Sequence, residues 1–465
     1  MNKIDYQEII NEISPNEKEK REIKSLYTHL IDLIDDIAYQ NDIDAQAVLV
    51  GSVAKGTWLS GKADIDIFIK FPLETPAEYL KEKGLFLGEI CINMMNGKRE
   101  YRYASHPYIT GIINGLEIDF VPCYDIHKTN KIKSAVDRTI PHTEYVKKYL
   151  TTEESDEVLL LKYFMKIIDT YGSEFKVGGF AGYLCELLIL HYKTFLNVLE
   201  SASNKWKPGY QIDLADHGTA GQFNEPLIVI DPVDPNRNVA AALSLQKLAE
   251  FVAASRNFLK DQSISYFRLN NISADLGRIK EAFKERGTKT LILTFKSPNI
   301  PADALYPQIK KTVNSIVRLV ERNDFKFFDS DFWTDEETMI VILLELETWN
   351  LPMIKKHRGP PVWSKMHSEK FLEKYKENAW LEEDVWVSKI DREYKDVASL
   401  IKAALSKEEI NLLQFGKHVK SKILYEYELM DIKEFLASKG NKKEVIEFLY
   451  LYLKKGYRIM GGETS

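Results

Sequence analysis

The sequence predicts a multidomain α+β protein, and three observations lead there. A chain of 465 residues exceeds what one hydrophobic core organises, so roughly two to four domains are expected. Near the N-terminus the apolar spacing switches from a helical period to a strand period. Helical spacing dominates from about 145 to 260, and beyond 260 short strand-like and helix-like runs alternate.

Each element follows from local pattern. Residues 1 to 45 read as helix, because Ile23, Leu26, Leu30, Leu33 and Ile37 recur on one face, and Ser14-Pro15 suit the N-cap and first-turn positions. Ala47-Val48-Leu49-Val50 is a β-type run ending at Gly51-Ser52. A second run is Asp64-Ile65-Asp66-Ile67-Phe68-Ile69-Lys70, closed by Pro72. The third, Gly115 to Val121, is expected to stop at Pro122, which lacks a backbone donor. In the middle of the chain, Asp156 to Asp169, Leu184 to Leu199 and Ala240 to Ala254 read as helices. Gly178-Gly179-Phe180-Ala181-Gly182 punctuates them, and prolines 226, 232 and 235 bracket the extended run Leu227-Ile228-Val229-Ile230. Further on, Thr290 to Phe295, Phe325 to Trp333 and Met339 to Leu346 read as strands. Tyr306 to Arg322, Phe371 to Glu377 and Val397 to Leu405 read as helices, giving the order of a split β-α-β unit with helical extensions. Phe448 to Tyr457 reads as a basic, Tyr-rich turn.

Composition excludes several classes. With 45% hydrophobic and 28% charged residues the chain is not disordered. No apolar run approaches the roughly 18 residues of a membrane span, and Met1-Asn2-Lys3-Ile4-Asp5 does not open a secretory leader. Three cysteines, Cys91, Cys123 and Cys185, without paired spacing, argue against a disulfide framework or structural zinc and for a reducing cytoplasm. A net charge of −6, read alone, argues mildly against a nucleic-acid partner, although a sum over the chain leaves room for a local basic face.

The sharpest chemical signal is Gly51-Ser52 followed by Asp64-Ile65-Asp66. Residues two apart on a strand share a face, about 6.6 Å apart at Cα, so Asp64 and Asp66 point together while Ile65 and Ile67 enter a core. Paired carboxylates repel unless a cation lies between them, and hard oxygen donors select Mg²⁺ or Mn²⁺. Asp119, on another apolar strand, can supply a third carboxylate. Three such groups can hold two ions about 3.5–4 Å apart, which activates an attacking hydroxyl and stabilises a leaving phosphate. The Gly-Ser turn offers backbone N–H groups to phosphate oxygens, and Ser52 and Lys55 add donors. Each feature alone reads as solvated surface or a simple turn. Together they point to a nucleoside triphosphate bound beside metal, and to phosphoryl or nucleotidyl transfer.

Gly51-Ser52, Lys55-Gly56-Thr57-Trp58-Leu59 and Asp64-Ile65-Asp66 resemble the signature of the polymerase-β-type nucleotidyltransferase superfamily. The stretch 51 to 72 more closely resembles the archaeal class I CCA-adding enzymes, the tRNA nucleotidyltransferases. His106-Pro107-Tyr108, Asp137-Arg138-Thr139 with His142, and Gly179 to Leu187 agree, as do Asp231-Pro232-Val233-Asp234-Pro235-Asn236-Arg237-Asn238-Val239-Ala240 and Gly359-Pro360-Pro361-Val362-Trp363. The resemblance implies a polymerase-β-like nucleotidyltransferase catalytic head over residues 1–145 and a helical central nucleotide-binding domain over 146–262. It implies a mixed α/β C-terminal tRNA-binding body and tail over 263–465, with the tail at about 305–390. It further implies addition of C, C and A to the tRNA 3′ end from CTP and ATP, with two Mg²⁺ ions. Asp64, Asp66 and Asp119 match the family's metal-binding carboxylates, and Ser52 and Lys55 its nucleotide-binding turn. His142, Lys162 and Tyr171 match contacts to the incoming nucleotide, chiefly its triphosphate, and Arg237 a residue near the base. The resemblance implies a cytoplasmic enzyme of a family that often forms dimers, but no dimer interface is legible in the sequence and the oligomeric state stays open.

From the residues alone these later positions say less. His142 reads as a surface or packing histidine, and Lys162, with Lys166 one turn on, as a solvated face. Lys162 and Tyr171 are nine positions apart, out of phase on one helix. Arg237 at the start of an Ala-rich helix would oppose the macrodipole, which favours a functional role. Cys185 reads as core. Candidate RNA contacts are Lys98, Arg99, Tyr101 and Arg102; Lys310, Lys311, Arg318 and Arg322; Lys355, Lys356, His357 and Arg358; and Lys417, His418, Lys420 and Lys422. Rival readings are a poly(A) polymerase or oligoadenylate synthetase, and a non-catalytic RNA-binding protein with a relict head. A small-substrate nucleotidyltransferase would leave the C-terminal part without a task.

Overall fold

The computed structural model describes residues 4–103, 107–126, 136–268, 275–438 and 442–462. Met1, Asn2, Lys3 and His106 lie outside the described residues, as do the side chains of Tyr101 and Arg102. The chain divides into two units, residues 1–270 with 456–465, and residues 271–455.

The first unit opens with α1 (Tyr6–Ile13), α2 (Glu17–Gln40), β1 (Gln46–Val50), α3 (Gly51–Lys55), β2 (Ile65–Phe71) and α4 (Ala77–Met94). β3 (Lys98–Tyr103), β4 (Pro107–Ile113) and β5 (Leu116–Tyr124) follow. They form a sheet in the order β1-β2-β5-β4-β3, with β2 and β5 parallel and the other pairs antiparallel. Ile65, Ile67 and Ile69 of β2 are fully buried against Leu30 and Ile34 of α2 and Leu87 of α4 in one core. That alternation holds β2 in register, since a one-residue slip would turn the isoleucines to water.

Three boundaries differ from expectation. The N-terminal helical stretch is broken at Ser14, which closes α1, and Asn16 caps α2 by accepting from the amides of Lys18 and Glu19. β5 runs through Pro122, which pairs in register with Ile69. β4 accompanies β5 only as far as Phe120, so Pro122 sits where one edge is open and a missing donor is tolerated. The hairpin β3–β4 has no sequence counterpart above, because its first strand is polar and aromatic rather than alternating.

The unit continues with α5 (Thr139–Tyr149), α6 (Thr152–Ile167), α7 (Gly182–Tyr192), α8 (Phe195–Lys205), β6 (Tyr210–Asp213), β7 (Leu227–Asp231), β8 (Asp234–Asn238) and α9 (Leu245–Asp261). Thr151 and Glu154 form a reciprocal capping box at the start of α6. α7 and α8 are two helices where one was expected, since Lys193 between them has φ +75°. α9 begins after its cap Ser244, so Ala240 lies outside it. Phe164, Phe180, Phe195, Phe251 and Phe258 are essentially inaccessible and fill a second core, distinct from the one beneath the sheet. Burying each such ring stabilises by about 1.5–3 kcal/mol.

The second unit holds α10 (Leu276–Glu285), β9 (Lys289–Lys296), α11 (Ala302–Arg322), β10 (Lys326–Thr334), β11 (Met339–Thr348), β12 (Ile354–Pro361) and α12 (Lys365–Tyr375). After these come β13 (Ala379–Glu382), β14 (Val385–Asp391), α13 (Val397–Ala404), α14 (Lys417–Tyr425), β15 (Tyr427–Asp431), α15 (Ile432–Ser438) and α16 (Lys443–Leu453). β9, α11 and β10 make a split β-α-β unit with β11 between the two strands, in the sheet order β10-β11-β9-β15. β12, β14 and β13 form a separate small sheet. The stretch expected as a Tyr-rich turn from 448 is helical as far as Leu453. Buried Glu345 on β11 is tied to Arg286, Thr288 and Tyr452, a structural network that fixes α16 to the sheet.

Candidate active site

Asp66 and Asp119 are register partners on the parallel strands β2 and β5. Their neighbours Ile65, Ile67, Ile118 and Phe120 are fully buried, which turns both carboxylates to the opposite face. Asp64 precedes the first residue of β2 rather than lying on it, and is exposed. Thr110 of β4, the register partner of Asp119 on its other side, donates to its Oδ1 at 2.6 Å. Burial first, then the charges of Asp119 and Asp64, push the Asp66 carboxyl up to about 7, against the pull of Lys55. The three carboxylates are neighbours rather than a closed cage: among the described residues no three His, Cys, Asp or Glu side chains form a ready-made metal site. The donor set nevertheless suits a hard divalent cation, because mutual repulsion is what such an ion relieves.

The Gly-Ser turn is the first turn of α3. Gly51 has φ +73°, and a Cβ there would lie 1.9 Å from Oδ2 of Asp66. Only glycine lets the backbone pass so close to that carboxylate. Ser52 follows, partly buried, on the same turn.

Lys55 reaches from α3 to α7, where its Nζ lies 2.6 Å from Oε2 of Glu186. Thr57 donates its hydroxyl to Oε1 of Glu186 at 2.6 Å. Lys162 donates to the Thr57 carbonyl at 2.9 Å and lies 3.4 Å from Oε1 of Glu186. Lys162 is therefore buried and ion-paired, not part of a solvated face. Burial pushes the Glu186 carboxyl up, but Lys55 and Lys162 outweigh it and hold it below its ordinary value. Lys162 and Tyr171 come together despite their spacing. α6 ends at Ile167, the chain turns back to pair Tyr171 with Phe180, and a Cβ on Gly182 would lie 3.2 Å from the Tyr171 hydroxyl and 3.5 Å from Lys162 Nζ. Burial, then the charges of Cys185, Glu186, Glu174 and Asp64, push the Tyr171 phenol upward.

His142 and Arg237 share a second buried anchor, Asp231 at the end of β7. Its carboxylate meets His142 Nε2 at 2.7 Å and accepts from Arg237 Nη1 at 2.8 Å, the Tyr183 hydroxyl at 3.3 Å and the Val233 amide at 3.1 Å. The His142 ring stacks on Tyr183 with centroids 4.0 Å apart. Burial lowers the His142 pKa although Asp231 opposes it. Burial also raises the Asp231 carboxyl, yet its bonds to His142 and Arg237 leave it below the ordinary value. Arg237 lies on β8, several residues before α9, so the argument from a helix macrodipole does not apply to it. Lys55 Nζ sits 5.7 Å from the Tyr183 ring centroid and joins the two clusters.

Thr110, Glu186 and Asp231 are the polar residues that sequence reasoning missed. Thr110 lies on an unforeseen strand. Glu186 had a signal, as the one charge inside Leu184-Cys185-Glu186-Leu187-Leu188-Ile189-Leu190. Asp231 stood in a quoted segment without a role. The basic groups fare unevenly. Arg99 pairs with Glu89, Lys355 with Asp324 and Lys356 with Glu382, and His357 stacks on Phe371. Lys310, Lys311, Arg318 and Arg322 of α11 and Lys417 of α14 are exposed.

Comparison with known proteins adds an independent line. Residues 30–142 match the nucleotidyltransferase domain family, residues 156–268 the second domain of tRNA nucleotidyltransferases, and residues 286–431 the C-terminal domain of CCA-adding enzymes. A CCA-adding enzyme of Methanothermobacter thermautotrophicus is 48% identical, over 97% of this chain and 98% of its own. One from Methanosarcina barkeri is 37% identical over 91% of this chain and 92% of its own. Another, from Methanosarcina acetivorans, is 37% identical over 93% of this chain and 94% of its own. Among solved structures, the Cid1 poly(U) polymerase aligns over 57% of this chain and 97% of its own, at 18% identity and a TM-score of 0.46, too slight a likeness to build on.

Proposed function

This chain belongs to the CCA-adding enzyme family, and from that membership we propose a template-independent nucleotidyltransferase that adds C, C and A to the 3′ end of tRNA from CTP and ATP. The reaction is in-line attack of the RNA 3′-hydroxyl oxygen on the α-phosphorus. The bond to the β-phosphate oxygen breaks and pyrophosphate leaves. Asp64, Asp66 and Asp119 would hold Mg²⁺. When bound, a pair of such ions lowers the pKa of the attacking hydroxyl and neutralises charge on the departing pyrophosphate.

The chain's own groups do the positioning. Thr110 donates to one oxygen of Asp119 and so helps to orient that carboxylate. Ser52, Lys55 and Lys162 offer donors to the triphosphate, and Glu186 holds both ammonium groups in place. Tyr171 closes the same cluster. His142 and Arg237, pinned by Asp231, flank the nucleotide, with Arg237 towards the base. In this reading residues 1–145 carry the chemistry, 146–262 hold the nucleotide and 263–465 grip the tRNA. All three cysteines are buried and unpaired, which supports a reducing, cytoplasmic setting. A homodimer is part of the proposal on the family resemblance alone.

The observation that carries the site assignment is the pairing of Asp66 with Asp119 across parallel strands, directly beneath Gly51. The test is to supply a tRNA lacking its last three nucleotides with CTP and ATP. Incorporation of CTP, then ATP, stopping at three additions is expected. Unlimited addition of ATP alone would favour a poly(A) polymerase, and no incorporation a non-catalytic RNA-binding protein.

A further inference from the structure

We propose that Arg138 and Asp234 are positioning residues, a latch that sets where Arg237 stands relative to the catalytic strand and thereby governs discrimination among incoming bases. The inference rests on the reading above that places Arg237 beside the base, a reading in which neither Arg138 nor Asp234 has a part. The geometry of β8 is what makes a latch necessary. Its register against β7 passes directly from the pair Asp231–Asp234 to the pair Ile230–Asn238. Pro235, Asn236 and Arg237 therefore bulge out of the ladder, and the backbone carrying the Arg237 side chain depends on what holds the bulge. Asn238, buried, holds one end. Its Oδ1 accepts from the amides of Val229 and Ala240, each at 2.9 Å, and its Nδ2 donates to the Leu227 carbonyl at 3.0 Å. The Thr219 hydroxyl steadies the middle through the Pro235 carbonyl at 2.5 Å. Asp234 holds the other end. Its Oδ1 accepts from the Asn236 amide at 3.2 Å, and its Oδ2 accepts from Nε of Arg138 at 2.8 Å.

The far end of the latch is tied to the strand that carries Asp119. Arg138 closes a 3₁₀ turn over Val136–Arg138 and leads into α5. Its neighbour Asp137 is fully buried, and Oδ1 of Asp137 accepts at 3.2 Å from the amide of Tyr124, the last residue of β5. The path from Asp119 along β5 to Tyr124, Asp137, Arg138, Asp234 and Arg237 thus joins the catalytic strand to the arginine beside the base. The spacing makes this a two-point attachment. Arg138 and His142 are four apart at the start of α5 and share a face, and they meet Asp234 and Asp231, which are register partners across the hairpin. A single contact at Asp231 would let the hairpin pivot about it. The second contact removes the pivot, on the arm that bears Arg237. The Arg138 and Asp234 side chains are only 26% and 12% exposed, so their attraction is screened less than that of a surface pair.

The experiment compares the full-length protein with Arg138→Gln, Asp234→Asn and the double variant, using a tRNA transcript lacking its 3′ CCA. The kcat/KM values for CTP and for UTP are measured at the first addition. Binding of the unreactive α,β-methylene analogues of CTP and UTP to the protein–RNA complex is measured alongside. Each single variant should lose about tenfold of its preference for CTP over UTP, the order expected for a hydrogen bond between charged groups. The CTP KM should rise more than kcat falls, and the RNA KM should stay near its wild-type value. The double variant should be no worse than either single one, because both remove the same contact. Arg138→Lys keeps the charge without the guanidinium geometry and should recover part of the preference. If Arg138→Gln fails to fold, Asp234→Asn and Arg138→Lys carry the comparison. An undiminished preference in the single variants overturns the proposal, even where their thermal midpoints fall, since the pair is then structural only. Losses that add in the double variant overturn it too. Wild-type addition of C, C and A with undiminished preference in the variants sinks the latch and leaves the proposed function. No incorporation by wild type sinks that function, and the ratio of analogue affinities still decides the latch: a loss of about tenfold in the variants supports it, and an unchanged ratio overturns it.

Discussion

Replacing Glu186 by Gln tests how the nucleotide cradle is held. The substitution keeps size and shape and removes one charge. In the wild type, that charge faces Lys55 at 2.6 Å and Lys162 at 3.4 Å, with the Thr57 hydroxyl donating at 2.6 Å. All of these groups are nearly inaccessible, the Lys55 and Lys162 side chains at 7% and 3%. A Gln amide must point its NH₂ at a donor, so two ammonium groups lose their counter-charge and at least one contact becomes donor against donor. Stranding a buried charge in this way costs about 3–5 kcal/mol, which lowers a thermal midpoint by roughly 10 °C in a unit of this size. The sign with pH follows from Glu186 being held below its ordinary 4.5. Its contribution is present above 4.5 and is lost as pH falls through the folded value. The gap between wild type and Glu186→Gln should therefore be widest near neutral pH and narrow on acidification. Thermal melts over a pH series measure it, and steady-state kinetics should show KM for CTP and ATP raised at least tenfold with RNA affinity kept. Glu186→Asp should recover part of both. A Gln variant as stable as wild type at neutral pH, with unchanged KM, would refute the reasoning.

Asp231→Asn leaves Arg237 and His142 with a neutral partner. It should raise the nucleotide KM about tenfold, the loss of a charge-assisted bond worth about 1.5–3 kcal/mol, and increase misincorporation of UTP and GTP in a competition assay. Asp66→Asn removes a carboxyl pushed up to about 7 by burial and like charge. A raised carboxyl weakens the fold as pH rises from 4 towards 7, so in EDTA at pH 8 the variant should melt higher than wild type. Mg²⁺ should raise the wild-type midpoint more than that of the variant. Thr110→Val removes the 2.6 Å hydrogen bond to Asp119, and single-turnover incorporation should slow about tenfold while stability changes by only about 1 kcal/mol.

The parts of this fold legible in sequence are those governed by local pattern. β1, β2 and β5 announce themselves as short apolar runs bounded by turn residues, with Val50, Ile65, Ile67, Ile69, Ile118 and Phe120 buried. α11 does so through its long apolar stripe. Asp66 is legible for the same reason, since its place between buried Ile65 and Ile67 on β2 sets its face, whereas Asp64 lies just before the strand. What escaped depends on contacts from afar. Lys162 looks like half of a solvated lysine pair, and only Glu186 on a different helix makes its burial tolerable. Asp231 means little until His142, Tyr183 and Arg237 reach it from α5, α7 and β8. The break between α7 and α8 rests on one lysine in a left-handed conformation, which no periodicity reveals. Pro122 misled because a strand edge that tolerates proline is a property of the sheet, not of the residue.

The claim beneath all of this is that the carboxylates on β2 and β5 carry the chemistry and leave RNA recognition to other surfaces. Asp119→Ala addresses it most directly, with radiolabelled CTP incorporation and RNA affinity measured on the same preparation. The account predicts that incorporation is abolished while the dissociation constant for a tRNA lacking its CCA end stays within a few-fold of wild type. Incorporation at the wild-type rate would contradict it.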